Sequence, residues 1–573
     1  MSVELVYQNW LNNENLDIDL KKQLEKMTVQ EKEDAFYRSL EFGTAGMRGV
    51  MGAGTNRMNI YTIRKANVGF AKYLMEHVPN AVKRGVAIAY DNRHFSPQFA
   101  MESARVLATQ GIKAYVFDAL RPTPELSFAV RYLGAAGGIV ITASHNPPEY
   151  NGYKIYDESG CQTLPAEGEK VIAGVKAVSD VFAIDVKSES ELRAAGLIET
   201  IGHEIDDAYL ACVKKLEMNE CLKKRALSIV FSPLHGTAGP LTSKLLADCG
   251  YQDVHLVEEQ ALPDPDFPTV HYPNPEDAQA FAMAIELGKK VNADVLLATD
   301  PDADRMGVAA KDQSGTYVLL TGNQTGAVMV HYILSQRQAK GTLPTKGRVF
   351  DTIVSSRMAA KIAHAYGMET VSTLTGFKFI GEQARLMEET EYEYVYGYEE
   401  SYGSLVGDFV RDKDALQAVL ILVEAAAYYK AQGKTLYDVL NELYEAFGFY
   451  QEDLANISLT GKAGAEKIQA ILADFRLAPP TEVAGLQVVT ILDYQTSTCF
   501  DVRTQTASQI DLPTENVLKY ILEDDSWFVL RPSGTEPKVK IYIGAVTDRQ
   551  EATAARVSHI KKAVLTRVDA ILE

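Results

Sequence analysis

The sequence predicts a multidomain α/β protein that closes in an α+β region, and three observations predict it. Short apolar runs with β-branched residues alternate with longer stretches rich in Ala and Leu that end at Gly, a βαβα rhythm. The last strands of the chain come without regular crossover helices. The length of 573 residues suggests about three to five domains at roughly 100–200 residues each. Hydrophobic residues at 46% and charged residues at 23% are the balance of a folded chain rather than a disordered one.

In chain order, the first block has strands at Val86–Tyr90, Lys113–Phe117 and Gly138–Ala143. PQFAMESARVLATQG and GPLTSKLLADCG read as helices stopped by Gly. A polar, charged stretch around Asp185–Glu199 follows the first block and is expected to lead into a linker. The strand Leu227–Phe231 and the loop PLHGTAG open a second block, which includes the strand Asp294–Thr299. TYVLLTGNQTGAVMVHYIL, from Thr316, ends the second unit and starts a third. The third contains the strand Tyr392–Tyr396 and closes in a helical region from Asp412 to about Ala446. Its most apolar segment, ALQAVLILVEAAAYY, carries Gln417 and Glu424 and reads as a buried helix. LQVVTILDY, SWFVLRP and KVKIYIG are the strands of the last region. The expected domains are 1–205, 206–322, 323–446 and 447–573. No short repeat or low-complexity tract is visible.

Lys and Arg total 57 and Asp and Glu 76, so the formal net charge is 57 − 76 = −19. That argues against nucleic acid as a partner and against a polybasic membrane anchor. An anionic small-molecule substrate stays open, because a few local cations hold a phosphate inside an acidic protein. MSVELVYQNWLNNENLDID has no basic segment followed by an apolar one, so no secretory signal is expected. No apolar stretch approaches the ~20 residues that span a bilayer. The five cysteines form no CxxC and read as small core residues rather than disulfides or zinc ligands. A soluble cytoplasmic protein is the expectation.

Four strands run straight into loops of small, polar and charged residues: GIVITA into SHNPPEYNGYK, DVLLAT into DPDADRMG, YEYVY into GYEESYGS, and WFVL into RPSGTEPK. In open α/β sheets ligands bind beyond the carboxyl ends of strands. Any one such loop is an ordinary turn, but four on separate blocks suggest a cleft assembled from about four domains. In the second loop Asp300, Asp302 and Asp304 alternate, a spacing that turns three carboxylates toward one hard cation such as Mg²⁺. An EF-hand needs Gly and Glu where Arg305 and Lys311 stand, so a calcium loop of that kind is excluded. Ser144 at a strand end, stiffened by Pro147 and Pro148, is a candidate nucleophile, though not in a GxSxG elbow. Arg531, Ser533, Gly534 and Thr535 read as an anion cradle. Neither a GxxxxGK[ST] nucleotide loop nor an HExxH zinc helix occurs. Gly49–Gly54 (GVMGAG) follows no expected strand and lacks the GxGxxG spacing.

Together these loops resemble the α-D-phosphohexomutases over nearly the whole chain. TASHNPPEYNGYK is similar to the family's phosphoserine loop, DPDADR to its metal loop, YEESYG to its sugar loop and RPSGTEP to its phosphate loop. EFGTAGMRG, PTPELSFAV and PLHGTAG resemble further family elements. The wording GYEESYG…GDFVRDKDAL looks most like the longer bacterial phosphoglucomutases, whose relatives include phosphopentomutases. The resemblance implies a heart-shaped fold around a central cleft, with three α/β/α domains with mixed sheets and a smaller α+β domain. It implies Mg²⁺ on Asp300, Asp302, Asp304 and an oxygen of phosphorylated Ser144. Glu399 and Ser401 would grip sugar hydroxyls. Arg531, Ser533, Gly534 and Thr535 would hold the non-reacting phosphate. Arg48, Lys154 and Arg305 would neutralise the phosphoryl group in transfer. Thr375, Gly376, Phe377, Lys378 and Lys413 match substrate-contacting elements, and His145 follows the nucleophile as in the family. A Lys154 with its pKa lowered among cations would shuttle the hydroxyl proton.

The implied reaction interconverts α-D-glucose 1-phosphate and glucose 6-phosphate through glucose 1,6-bisphosphate, which is also the activator. Phosphopentomutase and phosphomannomutase activities are the alternatives, with a phosphoserine-dependent phosphatase or a phosphosugar-binding regulator as rivals. Tyr398, Tyr402 and Lys540 depart from the common family pattern, and both monomer and dimer stay open.

Overall fold

A computed structural model describes residues 2–43, 45–219, 222, 226–459, 461–532 and 538–572, the side chains at 461–463 and 465 excepted. The chain forms two compact units, Met1–Thr325 with Phe377–Tyr437, and Gly326–Gly376 with Asp438–Glu573.

The first unit holds two mixed sheets. Its N-terminal sheet contains β1 (Gly46–Val50), β2 (Val86–Tyr90), β3 (Ala114–Phe117), β4 (Gly137–Ile141), β5 (Tyr150–Tyr156) and β6 (Ile198–Ile201), in the order β1-β5-β4-β2-β3-β6. β4, β2, β3 and β6 pair in parallel, whereas β5 pairs antiparallel with both β4 and β1. The parallel strands are apolar runs because helices cover them. Val86, Ile88, Ile139 and Ile141 are fully buried against Ile63, Phe70 and Leu107. The helix Thr123–Leu133 ends at Gly134, whose φ of 60° is the left-handed stop that glycine takes without strain.

Two sequence expectations are corrected here. The polar stretch around Asp185–Glu199 does not lead into a linker: it carries the helix Glu189–Ala194, β6 starts inside it at Ile198 and pairs with β3, and the helix His203–Lys214 follows. Its charges lie on the solvated side, and Leu192 and Ile198 are its buried contacts. GVMGAG does follow a strand, since Gly49 and Val50 end β1. Its exclusion as a dinucleotide loop rests on the glycine spacing alone.

The second sheet contains β7 (Ser228–Ser232), β8 (Asp253–Leu256), β9 (Val295–Thr299), β10 (Met306–Lys311) and β11 (Tyr317–Leu320), in the order β11-β10-β9-β7-β8. β7 is parallel to β8 and β9, and β10 is antiparallel to β9 and β11. The β9–β10 connection is the acidic loop, so a tight antiparallel turn sets its shape. In the same unit β14 (Glu393–Tyr398) pairs antiparallel with β15 (Ser404–Leu405). The apolar helix expected from Ala415 is present as Ala415–Lys430 and is almost wholly buried. Its two polar residues hold backbone donors: Gln417 Oε1 accepts from Val406 and Gly407 N–H, and Glu424 accepts from Met218 N–H. The helical region to Ala446 is two helices, Ala415–Lys430 and Leu436–Phe447, parted by a turn with Gly433 at φ 77°.

In the second unit β12 (Gly347–Thr352) pairs in parallel with β13 (Glu369–Thr373). β16 (Phe449–Ser458), β17 (Glu482–Val483), β18 (Leu486–Asp493), β19 (Thr498–Asp501), β20 (Thr506–Gln509), β21 (Leu518–Leu522), β22 (Trp527–Pro532) and β23 (Lys538–Thr547) form an antiparallel sheet, in the order β16-β23-β22-β21-β18-β19-β20 with β17 on β18. The helices Gly461–Leu477 and Gln550–Leu572 share a core with it, around stacked Tyr520 and Phe528. This is the expected α+β region.

Candidate active site

Ser144 lies three residues beyond β4, at φ 52°. A serine in the left-handed region is strained and persists only where its surroundings hold it. Ser144 N–H donates to Thr142 Oγ1 at 2.9 Å. Buried Arg93 holds the rest of the loop. Its Nη2 donates to the carbonyls of Ser144 (2.6 Å) and Asn146, and its Nη1 to those of Pro147 (2.8 Å) and Tyr150 (3.0 Å). Asp91 stands 3.3 Å from Arg93 Nε. One planar guanidinium thereby ties together four backbone carbonyls, three from the loop and one from the start of β5.

The acidic loop meets this loop from the end of β9. Ser144 Oγ donates to Asp300 Oδ2 at 2.8 Å, although 156 positions separate them. Asp300 Oδ1 accepts the N–H groups of Asp304 (3.0 Å) and Arg305 (2.9 Å), which closes the turn with Ala303 at φ 55°. Arg305 Nη1 donates to Ser144 Oγ and His145 Nδ1, both at 2.8 Å, and its Nε to the Ser401 carbonyl at 3.0 Å. Lys154 Nζ lies 2.8 Å from Asp302 Oδ2 and 3.5 Å from Asp304 Oδ2. Lys413 Nζ lies 3.1 Å from Asp304 Oδ2. Arg48, at the outer edge, donates to Asn146 Oδ1 at 2.8 Å.

Asp300, Asp302 and Asp304 are buried, and each can offer an oxygen within 4.8 Å of the others. Oδ1 of Asp302 and Oδ1 of Asp304 accept no hydrogen bond among the described residues. Buried carboxylate oxygens without a donor are costly unless a cation takes them, and an all-oxygen donor set suits Mg²⁺. The residues therefore fit a hard divalent cation.

The electrostatics divide the three carboxyls. Burial, with Asp304 and Asp302 beside it, pushes Asp300 well above the usual carboxylate range. Burial also works against Asp304, but Lys413, Arg305 and Lys154 outweigh it and hold that carboxyl far below. Burial and Asp304 oppose the ionised Asp302, and Lys154 outweighs both. Burial and the cations Arg305 and Arg48 push His145 well down, so the ring that accepts from Arg305 is neutral. The lowered pKa expected for Lys154 is not what its surroundings give. Burial lowers its pKa, but Asp302 and Asp304 raise it by more, so the ammonium is held above its ordinary value. Its ammonium pairs with both carboxylates.

Of the residues singled out in the sequence, Ser144, His145, Arg48, Lys154, Arg305, Asp300, Asp302, Asp304, Lys413 and Ser401 come together through these contacts. Glu399 follows β14 directly, is buried, and helps hold Lys413 charged, after Asp304 and Asp412. The loop after β14 packs closely on Lys413: a Cβ at position 403 would stand 2.0 Å from Lys413 Cδ. Lys378 is the second residue of the helix Phe377–Met387, and its carbonyl accepts from Cys161 Sγ at 3.3 Å. Thr375, Gly376 and Arg531 belong to the second unit. There Thr375 is buried, Gly376 sits at φ 107°, and Arg531 Nε donates to Glu515 Oε1 at 3.3 Å. Ser533, Gly534 and Thr535 lie outside the described residues.

Sequence reasoning missed three residues. Arg93 gave no signal, because a lone Arg after a strand is common. Thr123 and Thr237 lie in PTPELSFAV and PLHGTAG, segments whose wording marked them but whose chemistry did not. Thr237 N–H and Oγ1 both donate to the Pro301 carbonyl, at 2.8 and 2.9 Å. Thr123 N–H and Oγ1 donate to the Asp302 carbonyl and Oδ2, at 2.8 and 3.0 Å.

Comparisons with known proteins agree along the chain. Residues 39–181, 207–315 and 321–447 match the three α/β/α domains of the phosphoglucomutase/phosphomannomutase family, and 454–559 match its C-terminal domain. A phosphoglucomutase of Staphylococcus aureus (strain MRSA252) is 39% identical over 535 residues, covering 93% of this chain and 94% of the relative. A phosphoglucomutase of Staphylococcus epidermidis (strain RP62A) is 38% identical over 551 residues, covering 96% of this chain and 98% of the relative. Among solved structures, a phosphoglucomutase/phosphomannomutase family protein from Burkholderia thailandensis superposes with a TM-score of 0.65 at 20% identity, over 92% of this chain and 98% of that one. The open form of pp63/parafusin from Paramecium gives 0.65 at 19% identity, over 93% and 96%. These two likenesses are likenesses of fold.

Proposed function

Because the chain belongs to the phosphoglucomutase/phosphomannomutase family of α-D-phosphohexomutases, enzymes that interconvert 1- and 6-phosphorylated sugars, we propose that its substrates are α-D-glucose 1-phosphate and glucose 6-phosphate, with phosphorylated Ser144 as the phosphoryl store and glucose 1,6-bisphosphate as intermediate and activator. The observation that carries this reading is the setting of Ser144 Oγ. It lies within 2.8 Å of both Asp300 Oδ2 and Arg305 Nη1, beside a buried carboxylate cluster that fits a divalent cation. The similarity to phosphoglucomutases over more than nine-tenths of the chain favours glucose phosphates.

The distance from O1 to O6 of glucose is too long for a direct shift in one bound pose, so a stored phosphate is needed. In the first step the O6 hydroxyl of glucose 1-phosphate attacks phosphorus on Ser144. The P–Oγ bond breaks, the P–O6 bond forms, and in the balance the hydroxyl proton ends on Ser144 Oγ. After the bisphosphate turns over, Ser144 Oγ takes the phosphate from O1 by the reverse bookkeeping. Arg305, which donates to Ser144 Oγ, faces the charge of the transferring group in both steps. Asp300, Asp302 and Asp304 would hold Mg²⁺, which when bound would supply further positive charge to that group. Lys154 and Lys413 keep Asp302 and Asp304 ionised for it. We further propose that Glu399 and Ser401 grip sugar hydroxyls, that Lys378, Thr375 and Gly376 contact substrate, and that Arg531 with Ser533, Gly534 and Thr535 holds the phosphate not in transfer. The domains assigned to these roles are 1–205, 206–322, 323–446 and 447–573. A cytoplasmic location is inferred, since the four described cysteines are free thiols, which persist in a reducing compartment. No helix among the described residues is long and apolar enough to cross a membrane.

The test is a panel of mutase rates on glucose 1-phosphate, mannose 1-phosphate and ribose 1-phosphate, with mass spectrometry of Ser144. Glucose 1-phosphate should be fastest, Ser144 should carry phosphate, and Ser144→Ala should fall to background while staying folded. A faster rate on mannose or ribose phosphate overturns the substrate. Near-wild-type turnover by Ser144→Ala overturns the phosphoserine.

A further inference from the structure

We propose that Thr123 is a positioning residue of the acidic loop, one that fixes the rotation of the Asp302 carboxylate so that a single oxygen is presented to the cation. The proposal rests on the reading of that loop as a divalent-cation site. Thr123 is fully buried and opens the helix Thr123–Leu133, far from the loop in sequence. It grips one residue of the loop twice. Its N–H donates to the Asp302 carbonyl at 2.8 Å, and its Oγ1 donates to Asp302 Oδ2 at 3.0 Å. In the first turn of a helix the N–H has no intrahelical partner, so the donor is available for the loop. Pro122 and Pro124 on either side fix the local backbone.

The consequence lies in how the two oxygens of Asp302 are shared. Oδ2 takes Thr123 Oγ1 and, from the other side chain, Lys154 Nζ at 2.8 Å. Oδ1 is buried and accepts no hydrogen bond among the described residues. A carboxylate turns about a soft bond, and one donor on a long, flexible lysine does not hold it. A β-branched threonine, its backbone bonded to the same residue, does. Donors behind a ligand set its orientation and typically change metal affinity by about 10–100-fold when lost. Thr123 thus keeps Oδ2 occupied and leaves Oδ1 for the cation.

The experiment measures metal binding directly on the full chain. Mn²⁺, visible by electron paramagnetic resonance, is titrated against wild type, Thr123→Val, Thr123→Ser and Asp302→Asn, and Mg²⁺ displaces it. Thr123→Val keeps the shape without the donor, and its affinity should drop by about tenfold or more. The Mg²⁺ concentration for half-maximal rate should rise in parallel, with the rate at saturating Mg²⁺ close to wild type. Thr123→Ser keeps the hydroxyl and should recover the affinity, which a merely space-filling role does not predict. If Thr123→Val does not fold, Thr123→Ala carries the same expectation. Wild-type affinity in these donor-free variants overturns the role of Thr123 alone. A wild type that binds Mn²⁺ no better than Asp302→Asn overturns the cation reading and the proposal with it.

Discussion

Lys154 and Arg531 carry the same charge under different constraints. Burial works against both ions, and for Lys154 the carboxylates of Asp302 and Asp304 more than offset it. Its ammonium is part of the cluster's charge balance, so a proton shuttle there would have to break two ion pairs. Burial likewise opposes the charge of Arg531, and Glu515 outweighs it. Arg531 is the proposed holder of the non-reacting phosphate, a contact made in ground state and transition state alike. Its loss should therefore raise KM as well as slow turnover. A charge-assisted pair is worth about 1.5–3 kcal/mol, roughly tenfold to a hundredfold in affinity at 1.4 kcal/mol per tenfold. Arg531→Ala should also release the bisphosphate more often before the second transfer, and so depend more on added glucose 1,6-bisphosphate. Initial rates against substrate and activator check this, and unchanged KM with unchanged activator dependence would place the phosphate elsewhere.

At the scale of elements, the site is loops at strand ends held by side chains and backbone from neighbouring elements. The acidic loop is a short antiparallel turn between β9 and β10. It is pinned at Pro301 by Thr237 and at Asp302 by Thr123. The PLHGTAG segment approaches so closely that a Cβ on Gly236 would stand 2.4 Å from Pro301 Cα and 2.6 Å from its carbonyl oxygen. Those are backbone atoms and cannot rotate away. Gly236→Ala should therefore push the loop aside, weaken Mg²⁺ activation and destabilise the protein by roughly 1–3 kcal/mol, as overpacking does. Thermal unfolding and a Mg²⁺ titration of the rate measure the two effects. If neither moves, the close approach does not shape the loop.

At the scale of the whole molecule, stability should carry a pH signature from the second unit. Asp351 is pushed up to about 6 by burial, with the Ser372 hydroxyl, Lys519 and Arg357 opposing. Lys519 is pushed down to about 8 by burial and Arg357, with Asp351 opposing, and its Nζ donates to the Ile353 carbonyl at 2.6 Å. The folded Asp351 binds its proton more tightly than the unfolded one does. Its contribution is thus full below the ordinary value of 3.8 and is lost as pH rises through about 6. The folded Lys519 gives up its proton near 8, while the unfolded lysine keeps it to 10.5, so stability is gained over that upper window. Urea midpoints across pH should fall through the lower window and rise through the upper one. Lys519→Met should remove the rise and Asp351→Asn the fall. Wild-type pH profiles in both variants would show that the two groups titrate normally.

The sequence by itself determined the strand-to-loop alternation, the α+β character of the C-terminal region and the chemistry of the acidic loop. Each of these is local: apolar runs make strands, small polar residues make turns, and Asp300, Asp302 and Asp304 lie within five residues of one another. It also carried family wording along the chain, which picked out Ser144 and Lys413 as well. Where the pattern was weak, as at Asp185–Glu199, charge on a solvated face suggested an approaching linker and hid β6. Only the tertiary structure decided what those residues do to one another. The bond from Ser144 to Asp300 spans 156 positions and that from Thr123 to Asp302 spans 179. The four carbonyls on Arg93 are backbone groups that no composition reveals. The pKa of Lys154 shifts opposite to the expected direction because Asp302 and Asp304, which outweigh its burial, come from a loop of another sheet. Burial and opposing charge act through space at a few ångströms, and the order of residues along a chain does not specify which groups share that space.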